Sequence, residues 1–235
     1  MGGKCKDVSP IKTYRIHFIR HGLTQGNLDG KYIGATDQPL CREGIEELEE
    51  LRREYEYPRA EKVYTSPLKR CLQTADILFP DCPAEPVDAL REYDFGLFED
   101  KSMPELADDP AFQAWTAGGM AAPPPGGEDR NEFDKRIRHG FAVVLDDMMK
   151  NRIFDAALIS HGGILMGLLA AYGYPRRKPL DWRIGNGKGY TVLVTPQLWM
   201  GGQVFEVFDP LPYGCGNAAD TPDYDVVEID DTDQE

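Results

Sequence analysis

The chain has 235 residues, enough to bury a substantial core, and a single domain is the expectation. It carries 40 acidic and 26 basic residues, a formal net charge of −14, which argues against nucleic acid or an anionic membrane as partner. No apolar run reaches the length of a membrane span, and no signal peptide is visible. The five cysteines (Cys5, Cys41, Cys71, Cys82, Cys215) are scattered and form no Cys-x-x-Cys pair. Neither a disulfide framework nor a zinc site is indicated, and a reducing cytoplasm is the expected location.

Residues 1–13 read as a loose leader. Tyr14 to Ile19 is an apolar run that predicts a first strand, followed by a polar, glycine-rich loop from His21 to Pro39. Glu43 to Tyr55 places Ile45, Leu48 and Leu51 on one face of a helix, with Cys41 where Ser, Thr, Asp or Asn would cap better. Lys62 to Thr65 predicts a short second strand. Ser66-Pro67 then offers an N-cap serine and a first-turn proline for a helix to about Phe79. A further strand is expected near Pro86 to Leu90. Residues 91–127 are irregular, with a short helix around Ala111 to Trp115, and end in the turn-forming Pro123-Pro124-Pro125-Gly126-Gly127.

Asp129-Arg130-Asn131-Glu132 resembles a capping box and opens a long amphipathic helix to about Lys150. Ala156 to Ile159 predicts another buried strand, and Ile164 to Tyr172 a helix. Strands at Tyr190 to Thr195 and Val204 to Phe208 close the domain. Strands alternating with helices predict an α/β fold, a three-layer sandwich around a mostly parallel sheet. The domain is expected over residues 14–216, with a lid segment at about 97–127. Residues 217–235 hold eight acidic and no basic residues, so the rest of the chain carries only −6. This run reads as a solvated tail in which Val226, Val227 and Ile229 could form one short strand.

Two strings carry the chemistry. Arg20-His21-Gly22 ends the first apolar run, and Ser160-His161-Gly162-Gly163 ends the run Ala156 to Ile159. Apolar strands of this kind sit centrally in parallel sheets, and ligands bind beyond their carboxyl ends. Two histidines at that edge, beside glycines that allow close backbone approach, predict an anion site containing a nucleophile. Arg70 lies early in the helix after the second strand, where helix N-termini attract anions. Arginine offers paired donors that match phosphate oxygens. His17 lies inside the first strand and reads as a buried structural histidine, while His139 reads as solvated; no metal-ligand spacing is present. Three carboxylates, Glu92, Asp94 and Glu99, are equal candidates for a general acid.

At this level the chain resembles the histidine phosphatase superfamily, in the branch that includes phosphoglycerate mutases and α-ribazole phosphatases. The resemblance spans about residues 14–208. It rests on Phe18-Ile19-Arg20-His21-Gly22-Leu23-Thr24-Gln25-Gly26-Asn27, then Asp37-Gln38-Pro39-Leu40 with Gly44. Tyr64-Thr65-Ser66-Pro67-Leu68-Lys69-Arg70-Cys71-Leu72-Gln73-Thr74-Ala75 follows, then Leu90-Arg91-Glu92-Tyr93-Asp94-Phe95-Gly96-Leu97-Phe98-Glu99, and finally Ser160-His161-Gly162-Gly163. The family implies a phosphoglycerate mutase-like fold and a role for each matching residue. His21 would become a phosphohistidine. Arg20, Arg70 and His161 would grip the phosphoryl oxygens, with Asn27 and Gly162 helping. Glu92 would be the proton donor. Phe98 stands where many relatives have tryptophan, and Cys41 where threonine is usual; both departures read as structural. Gly185-Asn186-Gly187-Lys188-Gly189 lacks a small hydroxyl residue common there.

The resemblance therefore implies a metal-independent phosphomonoesterase acting on a small phosphorylated metabolite, with no cofactor. The alternative is a cofactor-dependent phosphoglycerate mutase, which would need 2,3-bisphosphoglycerate. Glu92 and His161 stand only 69 residues apart, and mutases of the family tend to carry a longer insertion there, which helps seal out water. A third reading is a non-catalytic phosphate-binding protein. The lid residues Met103, Leu106, Phe112, Trp115 and Met120 read mainly as packing onto the core, with one or two facing an apolar or aromatic part of a substrate. Glu105, Asp108 and Asp109 disfavour a multiply phosphorylated substrate, and Lys188 reads as a solvated lysine.

Overall fold

The computed structural model describes residues 12–216 and 218. The leader up to residue 11 and the proposed tail strand at Val226 to Ile229 lie outside the described residues. In chain order the elements are β1 (Tyr14–Arg20), α1 (Gln25–Leu28), α2 (Arg42–Glu54), β2 (Lys62–Thr65), α3 (Lys69–Leu78) and β3 (Ala84–Pro86). Then come α4 (Met103–Leu106), α5 (Pro110–Ala117), α6 (Arg130–Asn151), β4 (Asp155–Ser160), α7 (Gly162–Tyr172) and β5 (Gly173–Tyr174). The last are β6 (Gly189–Val194), α8 (Pro196–Gly202) and β7 (Phe205–Leu211). Among the described residues no helix is long and apolar enough to cross a membrane.

Seven strands form one sheet in the order β3-β2-β4-β1-β6-β7-β5. The β3, β2, β4 and β1 strands are parallel, and β6 turns antiparallel on β1. Side chains alternate across the sheet. Ile16, Phe18 and Leu158 face a core completed by Phe141, Val144 and Leu145 of α6 and Leu165 and Leu168 of α7. Ile19, Val63 and Ile159 face a second core with Leu48 of α2 and Cys71 and Ala75 of α3. Helices on both faces of a mostly parallel sheet make the expected three-layer α/β sandwich. His17 is buried within β1, bonding Thr191 Oγ1 through Nδ1 (3.0 Å) and Asp155 through Nε2 (2.6 Å), as a structural histidine should. His139 is exposed on α6.

Several boundaries differ from the sequence reading. The helix expected at Ser66-Pro67 starts at Lys69 with Leu68 as N-cap; the Ser66 hydroxyl accepts from Leu68 N–H at 3.4 Å and also meets His161 Nε2 at 2.8 Å. The strand expected at Pro86 to Leu90 lies upstream at Ala84–Pro86. Val87 N–H still reaches Thr65 O, and Asp88–Leu90 then turns into a 3-10 helix. Cys41 caps α2 after all: its Sγ accepts from Gly44 N–H at 3.3 Å and donates to Leu23 O at 3.5 Å. At α6, Asp129 caps Asn131 and Glu132 N–H, but Glu132 pairs with Lys135, so the box is half made. Lys188, read as solvated, is only 9% exposed, because its backbone bridges Arg20 and Gly185 beside β1. Four short elements (α1, α4, α8 and β5) were not anticipated.

Close packing of β6 on β1 fixes the level at which β1 ends. A Cβ at Gly189 would lie 1.7 Å from Phe18 O, so the two backbones meet more closely than any side chain permits. Gly189→Ala is therefore expected to lower unfolding free energy by about 1–3 kcal/mol in urea titration.

Candidate active site

The sheet register delivers the reactive residues to one level. Arg20 pairs with Ser160, and Ile159 pairs with both Ile19 and Thr65. Ser66, which follows β2, is therefore level with Ser160 and Arg20, and His161 and His21 come one residue further on β4 and β1. The strand ladder continues into them: His21 N–H donates to Ser160 O and Ser66 N–H to Ile159 O, both at 3.0 Å. The two imidazoles meet edge to face with centroids 5.1 Å apart.

Each imidazole has its tautomer set by a neighbour. His21 Nδ1 lies 2.7 Å from Gly22 O, a pure acceptor, so the proton sits on Nδ1 and Nε2 carries the lone pair. Arg70 Nε–H donates to His161 Nδ1 at 3.2 Å. Neutral His161 therefore holds its proton on Nε2 and donates to Ser66 Oγ at 2.8 Å. Burial first, then Arg70, holds both histidines well below the ordinary 6.5; Arg20 adds to the effect, and His161 also feels His21.

Arg70 is fully buried on the first turn of α3. Besides His161 it donates to Thr36 O and Gly34 O, each at 2.8 Å. That loop is held in turn by Glu99, whose carboxylate accepts from the N–H groups of Gly34, Ala35, Thr36 and Phe95. Of the three carboxylates left open above, Glu99 is thus occupied with backbone and Asp94 caps Gly96 N–H at 2.8 Å. Glu92 alone of the three lines the cavity above the histidines. It accepts from Tyr93 N–H at 2.9 Å and Gly163 N–H at 3.1 Å. Burial pushes its pKa up, against lowering by those N–H groups and by Arg70. A Cβ at Gly163 would come within 2.8 Å of Glu92 Oε1, so the second glycine of the histidine motif makes room for the acid.

Arg20, His21, Asn27, Glu92 and Gly162 share one cavity of about 810 Å³. Arg20 reaches across β1's end to Ile184 O at 3.0 Å. Asn27, the third residue of α1, completes a capping box with the N-cap Thr24, its Oδ1 accepting from Thr24 N–H and Oγ1–H at 3.1 Å each. Among the described residues no group of three or more His, Cys, Asp or Glu is placed to hold a metal ion. Cationic and dipolar donors converge instead, with Gly162 at the N-terminus of the eleven-residue α7. Such a cluster can bind a tetrahedral dianion against an imidazole lone pair, with a buried carboxyl at hand whose pKa is raised.

Three supporting residues escaped the sequence reading. Asn186 Nδ2 donates to His21 O at 2.9 Å and fixes the nucleophile loop. Thr74 Oγ1 accepts from Gly22 N–H at 3.0 Å and donates to Arg70 O at 2.6 Å, tying that loop to α3. Arg136 of α6 pairs with Glu128 and donates to the carbonyls of Ala89 (3.0 Å), Arg91 (2.6 Å) and Glu92 (3.3 Å). An Asn-Gly pair and a mid-helix arginine were the visible signals, and neither is distinctive.

Two outcomes test this geometry. Arg136→Met frees three carbonyls of the Glu92 loop, so hydrolysis of a phosphomonoester should drop about tenfold or more in kcat. Unfolded histidines take up protons near pH 6.5 while His21 and His161 stay neutral, so the unfolded state binds more protons there and stability falls on acidification. His161→Gln should remove about 1 kcal/mol of the loss between pH 7.5 and 5.5 in urea titrations.

The profile of the histidine phosphatase superfamily (branch 1) matches residues 16–200. The adenosylcobalamin/alpha-ribazole phosphatase of Escherichia coli K12 is 30% identical over 178 residues, covering 74% of this chain and 86% of the relative. The crystal structure of the alpha-ribazole phosphatase from Shigella flexneri superposes with a TM-score of 0.71 at 25% identity, covering 83% of this chain and 94% of that one. The phosphoglycerate mutase from Bacillus anthracis shares the fold, with a TM-score of 0.66 at 20% identity, covering 85% and 93%. The match over most of the chain and the shared fold show that this chain belongs to branch 1 of the histidine phosphatase superfamily.

Proposed function

We propose that the protein is a metal-independent phosphomonoesterase working through a phosphohistidine on His21. One observation carries the reading: His21 Nδ1–H is committed to Gly22 O, which leaves Nε2 as a lone pair in a cationic cavity. In the first step Nε2 attacks phosphorus, the P–O bond to the alcohol breaks, and the departing oxygen takes the proton of Glu92. In the second, the Glu92 carboxylate removes a proton from water as the water attacks phosphorus. The P–N bond breaks and His21 recovers its lone pair. Arg20, Arg70, His161, Asn27 and the Gly162 N–H stabilise the equatorial oxygens. Similarity to a named alpha-ribazole phosphatase supports hydrolysis over transfer.

The scattered cysteines, with no Cys-x-x-Cys pair, suit a reducing compartment such as the cytoplasm. In the site, Cys71 Sγ lies 3.6 Å from His161 Nε2 and burial pushes its thiol up to about 12. It stays a thiol there and adds no charge.

Hydrolysis of p-nitrophenyl phosphate should proceed in EDTA and fall at least about a thousandfold in His21→Ala. Near-wild-type turnover in that variant would refute the mechanism. A mutase would instead interconvert phosphoglycerates only when 2,3-bisphosphoglycerate is added. The proton-donating form of Glu92 survives above the ordinary 4.5, and His21 keeps its lone pair well below 6.5. Turnover of glycerol phosphate, whose alcohol is a poor leaving group, should therefore decline as pH rises past the Glu92 pKa, a limb displaced upward from the ordinary carboxylate range. Glu92→Gln should lose that alkaline limb together with about a hundredfold or more in rate.

A further inference from the structure

The cavity exceeds what its anion subsite needs. At about 810 Å³ it lies in the upper part of the range that encloses drug-sized ligands. A three-carbon phospho-acid would leave most of it empty. Apart from the polar floor, it is lined by Tyr32, Tyr93, Phe95, Trp115, Met120 and Met166.

This wall is braced from behind. Phe98, Leu106, Phe112 and Trp115 form a lid core of their own, against which Tyr32, Phe95 and Met120 pack. Trp115 is only 6% exposed: its ring lies on Phe98 (centroids 5.4 Å) and Phe112 (6.0 Å), and Nε1 donates to Ala122 O at 2.9 Å. Tyr32 meets Phe95 edge on at 5.2 Å, and Tyr93 meets Phe133 at 5.2 Å. The lid residues thus pack mainly on one another, not on the sheet core, and present a preformed aromatic surface.

Met120 extends the aromatic wall. It holds φ +58°, directly after Gly119 at φ +62°. This left-handed pair terminates α5, with Met120 N–H donating to Trp115 O at 2.9 Å, and so fixes Met120 beside Trp115. The turn brings a thioether, the side chain best able to adapt to an aromatic ring, onto the cavity wall. Lys31, Arg130 and Arg183 also line the cavity, against Glu47, and with Arg20 this cationic excess disfavours a cationic ring.

We propose that the cavity selects phosphomonoesters bearing a flat, neutral or anionic aromatic group over phosphoglycerates and simple phosphosugars, with Met120 and Trp115 as specificity-determining residues. The proposal rests on the phosphatase reading for its anion subsite, but its test needs no turnover. Calorimetry would compare 2-(2-naphthyl)ethylphosphonate with propylphosphonate, which cannot be hydrolysed. The naphthyl ligand should bind at least about 30-fold more tightly. That ratio should shrink about fivefold or more in Met120→Ala and in Trp115→Ala. Should Trp115→Ala fail to fold, Met120→Ala decides. Equal affinities, failure of both phosphonates to bind, or a ratio unchanged in the variants would overturn the proposal. Loss of the aromatic preference with His21-dependent turnover intact refutes only the substrate class; a retained preference with no His21-dependent turnover refutes only the chemistry.

Discussion

Arg70 brings a full positive charge into the interior, and three stretches of chain are arranged around it. A buried guanidinium without hydrogen-bond partners is expensive. Here its donors go to His161 Nδ1 and to the carbonyls of Gly34 and Thr36. All three acceptors are neutral. They satisfy the hydrogen bonds without cancelling the charge, which leaves a preorganised positive potential beside two histidines.

The rest of the site follows from that potential. A proton on either imidazole would face Arg70 and Arg20 in a dry environment, so both rings stay neutral, one with a lone pair and one as a donor. Glu92 feels the same arginines, yet burial outweighs them and raises its pKa, which suits it to hold a proton. The Glu99 cradle and the Arg136 clamp keep the acidic segments in place: one secures the loop that satisfies Arg70, the other the loop that carries Glu92. An incoming phosphate dianion supplies the missing counter-charge, so binding and charge compensation are the same event.

Much of this was legible in the sequence because it depends on local rules. An apolar run ending in His-Gly marks a central strand meeting an anion site, and both such runs became adjacent parallel strands. What was not legible depends on tertiary choice. Ser66 has the chemistry of an N-cap, and only the register that puts it beside Ser160 at the end of β4 brings its hydroxyl to the imidazole of His161. Arg136 looks like one more charge on an amphipathic helix until α6 is laid against the Glu92 loop. Glu92, Asp94 and Glu99 are alike on paper. Five N–H and O–H donors on Glu99 and one backbone amide on Asp94 separate them. The lid's aromatic content was visible, but not that its rings would form a separate core with a face toward the cavity.

The account turns on two in-line displacements at phosphorus with a protein-bound intermediate between them. The most direct measurement is the stereochemistry of hydrolysis of a phosphorothioate monoester made chiral at phosphorus with ¹⁶O and ¹⁸O, run in ¹⁷O water and read by phosphorus NMR of the inorganic thiophosphate. Transfer to His21 and then to water predicts overall retention of configuration. Inversion would mean that water attacks the substrate directly, and would contradict the central role assigned to His21.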